Sequence, residues 1–302
     1  MSQINTGKIF RLLQETLDNV ITDDTDGIQS KVVFPRYCNV QEMDGAYSDE
    51  TEIAGPGLVS EKPEGTEIAL GSVYQGMFKR YTPGTWALKL IVTEEAIEDN
   101  KYKEAVPLAR LLKKSIWQTA DVMAAFMLIR AENTNYLGGD GVPLASNAHP
   151  LPAGGTYSNT MAVPMSPSNA ALMVARAAIN TLPSLNGIRD PLVPEKVIFP
   201  IEQQSVWDIL LGSDKSPEPG SFNAINIAKK LNLEPVAVHH WTNTQTNWAI
   251  TTDAKDGLKF KWRKRPMSRS WQDNDFTVVK YAQRARWATG WTNGRGLYFV
   301  GA

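Results

Sequence analysis

The stretch 107–133, PLARLLKKSIWQTADVMAAFMLIRAEN, constrains this chain more than any other. Behind its leading proline it has no Pro and no Gly, and good helix formers dominate it. Pro107 suits a first helical turn, where a missing N–H is not felt. At ~1.5 Å per residue the stretch predicts a rod of roughly 40 Å, long for a globular domain. Arg110, Lys114, Gln118 and Asp121 recur at helical spacing and predict a wet stripe; Leu112, Ile116, Met123 and Met127 predict a dry one. From Val122 to Ile129 every residue is apolar, so this half is expected to be buried on all sides. That run falls far short of the ~20 apolar residues a membrane span needs, and no membrane contact is expected. The residues alone predict a central core helix.

The rest of the chain has the means to pack around such a rod. Of 302 residues, 42% are hydrophobic and 21% charged, enough for a substantial core and roughly one to three domains. The single cysteine, Cys38, excludes an intrachain disulfide, and with only 3 histidines a structural zinc site is not expected. Synthesis in a reducing cytosol fits this usage. Arg11, Gln14 and Glu15 interrupt the apolar residues of 9–17, so no cleavable signal is expected. The net charge of −1 hides an asymmetry: Lys and Arg number 8 against 17 Asp and Glu in 1–100, 12 against 12 in 101–254, and 11 against 3 in 255–302. A tail this basic fits a nucleic-acid patch. It fits equally well a second copy whose acidic end meets it.

In chain order, 7–19 reads as a short amphipathic helix with Ile9, Phe10, Leu13 and Leu17 on one face, either a core anchor or an arm that docks on a neighbour. A short strand is expected at 30–34. Residues 44–85 are rich in Gly and Pro, with β-type runs at 46–48, 58–60, 66–70 and 73–75 and a turn at Pro63-Glu64-Gly65-Thr66. This region is too polar to bury a core of its own and predicts a long two-stranded arm. WALKLIVT at 86–93 predicts a strand entering the core, followed by a short helical turn after Thr93. Past the long helix, 138–159 is loop chemistry. Ser166 and Pro167 predict the start of a helix over 169–182. A buried strand is expected at 196–199, a helix at 201–211, and strands at 234–239, 248–252 and 258–262. The end reads as two strands, with Asn293-Gly294 signalling a hairpin between them. Helices mixed with strands indicate an α+β or α/β unit.

Little here can do catalysis. His149 lies in the Gly/Pro loop with Asp140 as the nearest orienting carboxylate, and a loop hydrogen bond explains it better than a general base. His239 and His240 face opposite sides of a strand and cannot chelate one metal as a pair. GxSxG, HExxH and Cys/His arrangements are absent. No catalytic, cofactor or metal residues are assigned. Lys259, Lys261, Arg263, Lys264 and Arg265 interleave with Phe260 and Trp262, a pattern that suits single-strand binding or, more simply, an amphipathic strand with a charged face. Trp241, Trp248, Trp262, Trp271, Trp287 and Trp291 are expected to build core and interfaces.

The run DGVPLASNAHPLPAGGTYSN at 140–159 resembles the loop after the long helix in tailed-bacteriophage major capsid proteins, which have the Hong Kong 97 fold. Members often carry Phe-Ser where Ala145-Ser146 stand here. The order of elements is also similar: a polar β-arm before the long helix, LVPEKVIFP at 192–200, Asn223-Ala-Ile-Asn226, a tryptophan strand near Trp248, the basic segment 261–265, and the terminal strands.

The resemblance implies an α+β capsid fold in parts: an N-terminal arm (1–43), an extended β-hairpin loop (44–85), a peripheral domain with the spine helix (86–164), an axial domain (165–260), and C-terminal strands returning to the peripheral domain (261–302). It implies a structural protein of the virion, made in the host cytoplasm. Such subunits self-assemble as hexamers and pentamers into an icosahedral shell around double-stranded DNA, held by non-specific contact. It also implies portal and decoration proteins. Residues 1–43 are too few for a built-in scaffold, so a separate scaffold or a processed chain is expected. In this family the extended loop lies over a neighbouring subunit. The expected contact sets Glu50, Glu52, Glu61, Glu64 and Glu67, with Lys62 beside them, against Arg263, Lys264 and Arg265 of the next subunit. Two alternatives stay open: a cellular nanocompartment shell of the same fold, and a nucleic-acid-binding protein using the basic tail.

Overall fold

The computed structural model describes residues 27–71, 73–93, 102–216, 225–242, 246–273 and 278–301. The helix expected over 7–19 and the turn expected after Thr93 lie outside the described residues. The strand expected at 30–34 is absent: a 3-10 turn (Gln29–Lys31) and a single helical turn, α1 (Phe34–Tyr37), stand in its place. The reason is Asp121, whose Oδ1 accepts from Val33 N (3.0 Å) and Phe34 N (2.9 Å) and so caps the turn from a distance. Asp121 is buried, a correction to the wet stripe; Arg110, Lys114 and Gln118 are exposed. β1 (Asn39–Glu42) follows.

The arm exists as an antiparallel pair, β2 (Ser48–Ala54) and β3 (Tyr74–Tyr81), with a bulge between Thr51 and Ile53. The runs at 58–60 and 66–70 form no strand, since Gly55, Pro56, Gly57 and Gly71 interrupt pairing. The turn at their tip is present: Thr66 N donates to Pro63 O at 3.3 Å and Gly65 takes φ +76°. β4 (Gly84–Thr93) is an exposed sheet edge, not a core strand.

Helix α2 (Tyr102–Ile129) begins before Pro107, which sits in its second turn rather than its first. That early position limits the proline's damage to the start of the hydrogen-bond ladder. In the half from Val122 to Ile129 no residue is exposed, and Ala124, Ala125, Met127 and Leu128 are buried. Within the Gly/Pro loop two short strands pair, β5 (His149–Pro150) and β6 (Thr156–Tyr157). Helix α3 (Asn169–Asn180) is capped by Ser168, two residues later than expected, its Oγ accepting from Ala171 N at 3.1 Å. Then come β7 (Pro194–Pro200), α4 (Gln204–Gly212), α5 (Ile227–Lys230), β8 (Glu234–Val238), β9 (Trp248–Thr252), β10 (Leu258–Asp273), β11 (Val278–Trp291) and β12 (Leu297–Val300).

Two four-stranded sheets organise these elements, in the orders β1-β10-β11-β4 and β12-β9-β7-β8. Helix α2 packs on the first through Ile116, Trp117, Ala120, Ala124 and Leu128, against Phe260, Trp262 and Trp287. Trp117 meets Trp262 edge-on at 5.7 Å, and Phe34 stacks on Phe260 at 4.3 Å. The second sheet is buried on both faces. Val197, Phe199, Trp248, Ile250, Tyr298 and Val300 face α3 and α4, while Ile198, Val236, Val238, Ala249 and Phe299 join the core of α2. A strand covered on both sides needs an unbroken apolar run, which is what 197–199 supplies.

The expected terminal hairpin is absent: β11 belongs to the first sheet and β12 to the second. A type I′ turn needs positive φ at both central residues, and Asn293 has φ −113°. Its Oδ1 instead accepts from Arg295 N at 2.9 Å, capping a short 3-10 turn. The crossing is tight. A Cβ on Gly296 would lie 2.4 Å from Gly257 Cα, so only glycine fits there.

Candidate assembly interface

The base of the arm is fixed to the body by buried charge. Lys259 and Lys261 lie on the face of β10 opposite the core aromatics, yet both are buried. Glu50 of β2 forks between them, one oxygen taking Lys259 and the other Lys261. Thr292 Oγ1 donates to Glu50 Oε2 at 2.7 Å, Lys261 Nζ donates to Ser48 Oγ at 3.0 Å, and that ammonium sits 4.4 Å from the Tyr81 ring centre. Burial works against the ionised form of Glu50. Hydrogen bonds from Lys259, Lys261 and Thr292 more than offset it and hold the carboxyl below its usual range.

Strand alternation puts Glu52 on the inward face of β2 with Ser48 and Glu50, while the bulge's extra residue lies on β3. Its Oε1 is buried with no hydrogen-bond partner among the described residues. Burial pushes its pKa up to about 7; Arg295 opposes this, while Asp140 and Asp256 reinforce it. On β3, Lys79 Nζ donates to Leu137 O at 2.9 Å, and Arg80 pairs with Asp49 at 2.7 Å over the Tyr47 ring.

The 138–159 loop lies against this base. Gly139 lets the backbone of Phe78 approach, since a Cβ there would meet Phe78 O at 2.4 Å. His149 Nδ1 and Asp140 Oδ2 are 2.6 Å apart, and the imidazole stacks on Tyr157 at 4.9 Å between ring centres. Asn159, fully buried, donates to Leu144 O (2.7 Å) and Gly294 O (2.8 Å) and accepts from Ser146 N (2.9 Å). The loop that most resembles its family is therefore the one that ties the arm to the tight crossing at 294–296.

Beyond the base, the arm offers apolar side chains to solvent. Val59 and Leu70 are each 99% exposed, Leu58 82% and Ile68 76%. Glu61, Lys62, Glu64 and Glu67 are exposed among them. Gly57 lies beside Asn186 and Ile188 of the same chain.

The expected contact residues thus fall into different situations. Glu50 is engaged within its own subunit, and Glu52 is turned inward. Arg265 Nε pairs with Glu42 Oε1 at 2.6 Å in its own chain. Lys264 is exposed, and Arg263 is half-buried. Sequence reasoning missed the clamp of Lys259, Lys261, Tyr81 and Thr292, for which the alternation of lysine with aromatics on β10 was the available signal. Among the described residues no group of His, Cys, Asp or Glu sits together as metal ligands, and no helix is long and apolar enough to cross a membrane.

The family model described as phage capsid protein matches residues 78–300, from β3 through β12. The chain belongs to that family. Solved phage capsids share its fold. The Microbacterium phage Oxtober96 structure superposes with TM-score 0.57 at 11% identity, covering 89% of this chain and 90% of the other. The procapsid of bacteriophage JBD30 gives 0.52 at 12% identity, covering 97% and 75%. A virus-like particle from Pyrococcus furiosus gives 0.55 at 10%, covering 95% and 98%. No curated protein sequence matches. This phage capsid protein is a structural shell subunit of the major capsid type, with the Hong Kong 97 fold.

Proposed function

We propose that copies of this capsid protein close as hexamers and pentamers into an icosahedral shell around double-stranded DNA, each extended loop lying on the next subunit. The observation that carries this reading is the family match over 78–300, on a body whose arm is clamped at its base and uncovered beyond it. Glu61, Lys62, Glu64 and Glu67 supply the loop side of the contact, and Arg263, Lys264 and Arg265 the neighbour's side. Glu50 holds the arm from beneath through Lys259, Lys261 and Thr292, and Glu52 lies inward beside it. The parts of the subunit divide as arm 1–43, loop 44–85, peripheral domain 86–164 with 261–302, and axial domain 165–260. A separate scaffold, a portal and decoration proteins complete the assembly, in a virion built in the host cytoplasm. The DNA contact is non-specific.

Negative-stain microscopy of the purified protein tests the reading: closed shells of uniform diameter are expected, with DNA inside particles from infected cells. A stable monomer that shifts DNA in a gel with steep salt dependence overturns it in favour of a nucleic-acid-binding protein. Shells that form but enclose cargo enzymes in place of DNA overturn it in favour of a nanocompartment.

A further inference from the structure

Two glutamates two residues apart on β2 meet opposite fates. Glu50 locks the strand to β10 through Lys259 and Lys261. Glu52 points the same way, yet its Oε1 is shielded from solvent and has no hydrogen-bond partner among the described residues. The pairing of the arm is irregular at the same point. Thr51 stands opposite Phe78 and Ile53 opposite Gln75, so Gly76 and Met77 together face Glu52 alone. A bulge of this kind bends its strand and interrupts the ladder. Gly76 lets β3 close up on Glu52, since a Cβ there would lie 2.7 Å from the Glu52 Cβ and 2.9 Å from its carbonyl oxygen.

The cations around Glu52 are committed elsewhere. Lys259 takes Glu50 and Asp256, and Lys261 takes Glu50 and Ser48. Arg295 pairs with Asp190 at 3.2 Å. On β3, Lys79 Nζ donates to Leu137 O at 2.9 Å, and the Tyr81 hydroxyl bonds Thr292 at 2.7 Å. In the 138–159 loop His149 is held by Asp140 and stacks on Tyr157. Lys255 is exposed, and Asp253 accepts from Val193 N at 2.8 Å. Burial lifts the Glu52 carboxyl to about 7; Arg295 opposes this, and Asp140 and Asp256 add to the rise. A cleft of about 550 Å3, lined by Thr51, Glu52, Ile53 and Arg295 among others, opens beside it and leaves the strand room to move.

We propose that Glu52 is a proton-operated latch at the arm's bulge. Protonated, it lets β2 and β3 stay seated on the body; ionised, it makes the root of the arm leave its seat more often, carrying the charge out to water. The gating follows from electrostatics. A neutral carboxyl needs no counter-charge. A buried carboxylate without one is relieved only where water reaches it, and the bulge is where the ladder yields. Glu50 cannot play this part. Burial works against its charge, but hydrogen bonds from Lys259, Lys261 and Thr292 more than offset that and favour the ionised form. The latch lies within a single subunit and stands apart from the shell reading.

Amide hydrogen exchange on the unassembled subunit at pH 6 and pH 8, corrected for the intrinsic pH dependence of exchange, tests the latch. An opening that takes Glu52 from its buried value of about 7 to 4.5 in water becomes about tenfold more populated between those two pH values. Expected is a tenfold loss of protection at 48–54 and 74–81, with 120–129 of the long helix unchanged. Glu52→Gln abolishes the pH dependence. Glu50→Gln weakens protection at both pH values and leaves the pH dependence in place. Asp256→Asn removes a reinforcing carboxylate and moves the midpoint to lower pH. Equal protection of the arm root at pH 6 and pH 8 overturns the proposal. So does a loss that 120–129 shares in full, which reports general loosening, or one that persists in Glu52→Gln. Should Glu52→Gln not fold, an unmoved midpoint in Asp256→Asn overturns it instead.

Discussion

Glu52→Gln should make this protein more stable at neutral and alkaline pH, and the gain should vanish in mild acid. Burial lifts the Glu52 carboxyl from 4.5 to about 7, with Arg295 opposing and Asp140 and Asp256 adding to it. The folded state thus holds this proton more tightly than the unfolded chain does. Between about pH 4.5 and 7 the folded chain binds more protons, so Glu52 makes stability fall as pH rises through that window. Below the unfolded value both states are protonated and nothing is lost. Above 7 the full cost is present. A shift from 4.5 to about 7 at about 1.4 kcal/mol per unit amounts to about 3 kcal/mol. Glutamine has the size of the protonated acid and cannot ionise. Urea unfolding of the unassembled subunit, run from pH 5 to 8 for both proteins, reads the difference directly, because every other titrating group cancels. The gap should be under about 1 kcal/mol at pH 5 and widen to about 3 kcal/mol at pH 8, roughly 1 M in midpoint at a slope near 3 kcal/mol/M. A constant gap across the range, or a less stable variant at pH 8, would refute the argument that desolvation dominates at this carboxyl.

Other changes probe the joints around it. Asp121→Ala strands the N–H groups of Val33 and Phe34 and should cost about 3 kcal/mol, whereas Asp121→Asn keeps an acceptor and should cost about 1 kcal/mol; urea midpoints rank the two. Glu50→Ala leaves buried Lys261 with the Ser48 hydroxyl and the Tyr81 ring, a loss of about 3 kcal/mol at pH 7. Because the folded Glu50 carboxyl lies below its usual value of 4.5, that contribution is present above the unfolded value and fades as pH falls through the lower folded value, so the gap to wild type should narrow in acid. Asn159→Ala breaks two buried hydrogen bonds and a part-buried one at once and should lower stability by about 3 kcal/mol, with faster proteolysis at 138–159 as the local readout.

What sequence reasoning reached depended on whether the controlling interaction was local. The long helix, the strand at 194–200, the turn at Pro63–Thr66 and the pairing of His149 with Asp140 are decided by neighbours in the chain, and all are visible in the residues. The failures share a different cause. Asp121 fits a solvent stripe by spacing, and only a segment about ninety positions away makes it a buried cap. Lys259 and Lys261 look like the wet side of an amphipathic strand until the arm covers them. Asn293-Gly294 has hairpin chemistry, but the flanking strands were claimed by different sheets. That Lys89, Arg269 and Arg284 share one face of the first sheet follows from strand register, which no spacing rule supplies.

The placement of β11 bears on timing as well as on shape. Among the described residues it is the one strand that pairs with β4, and it lies between β4 and β10, while β12 closes the edge of the second sheet beside β9. During synthesis, the earlier segments therefore emerge from the ribosome without the surfaces they will rest on. Neither core closes until 278–300 have left the exit tunnel, because Trp287 and Phe299 belong to one core and Tyr298 and Val300 to the other.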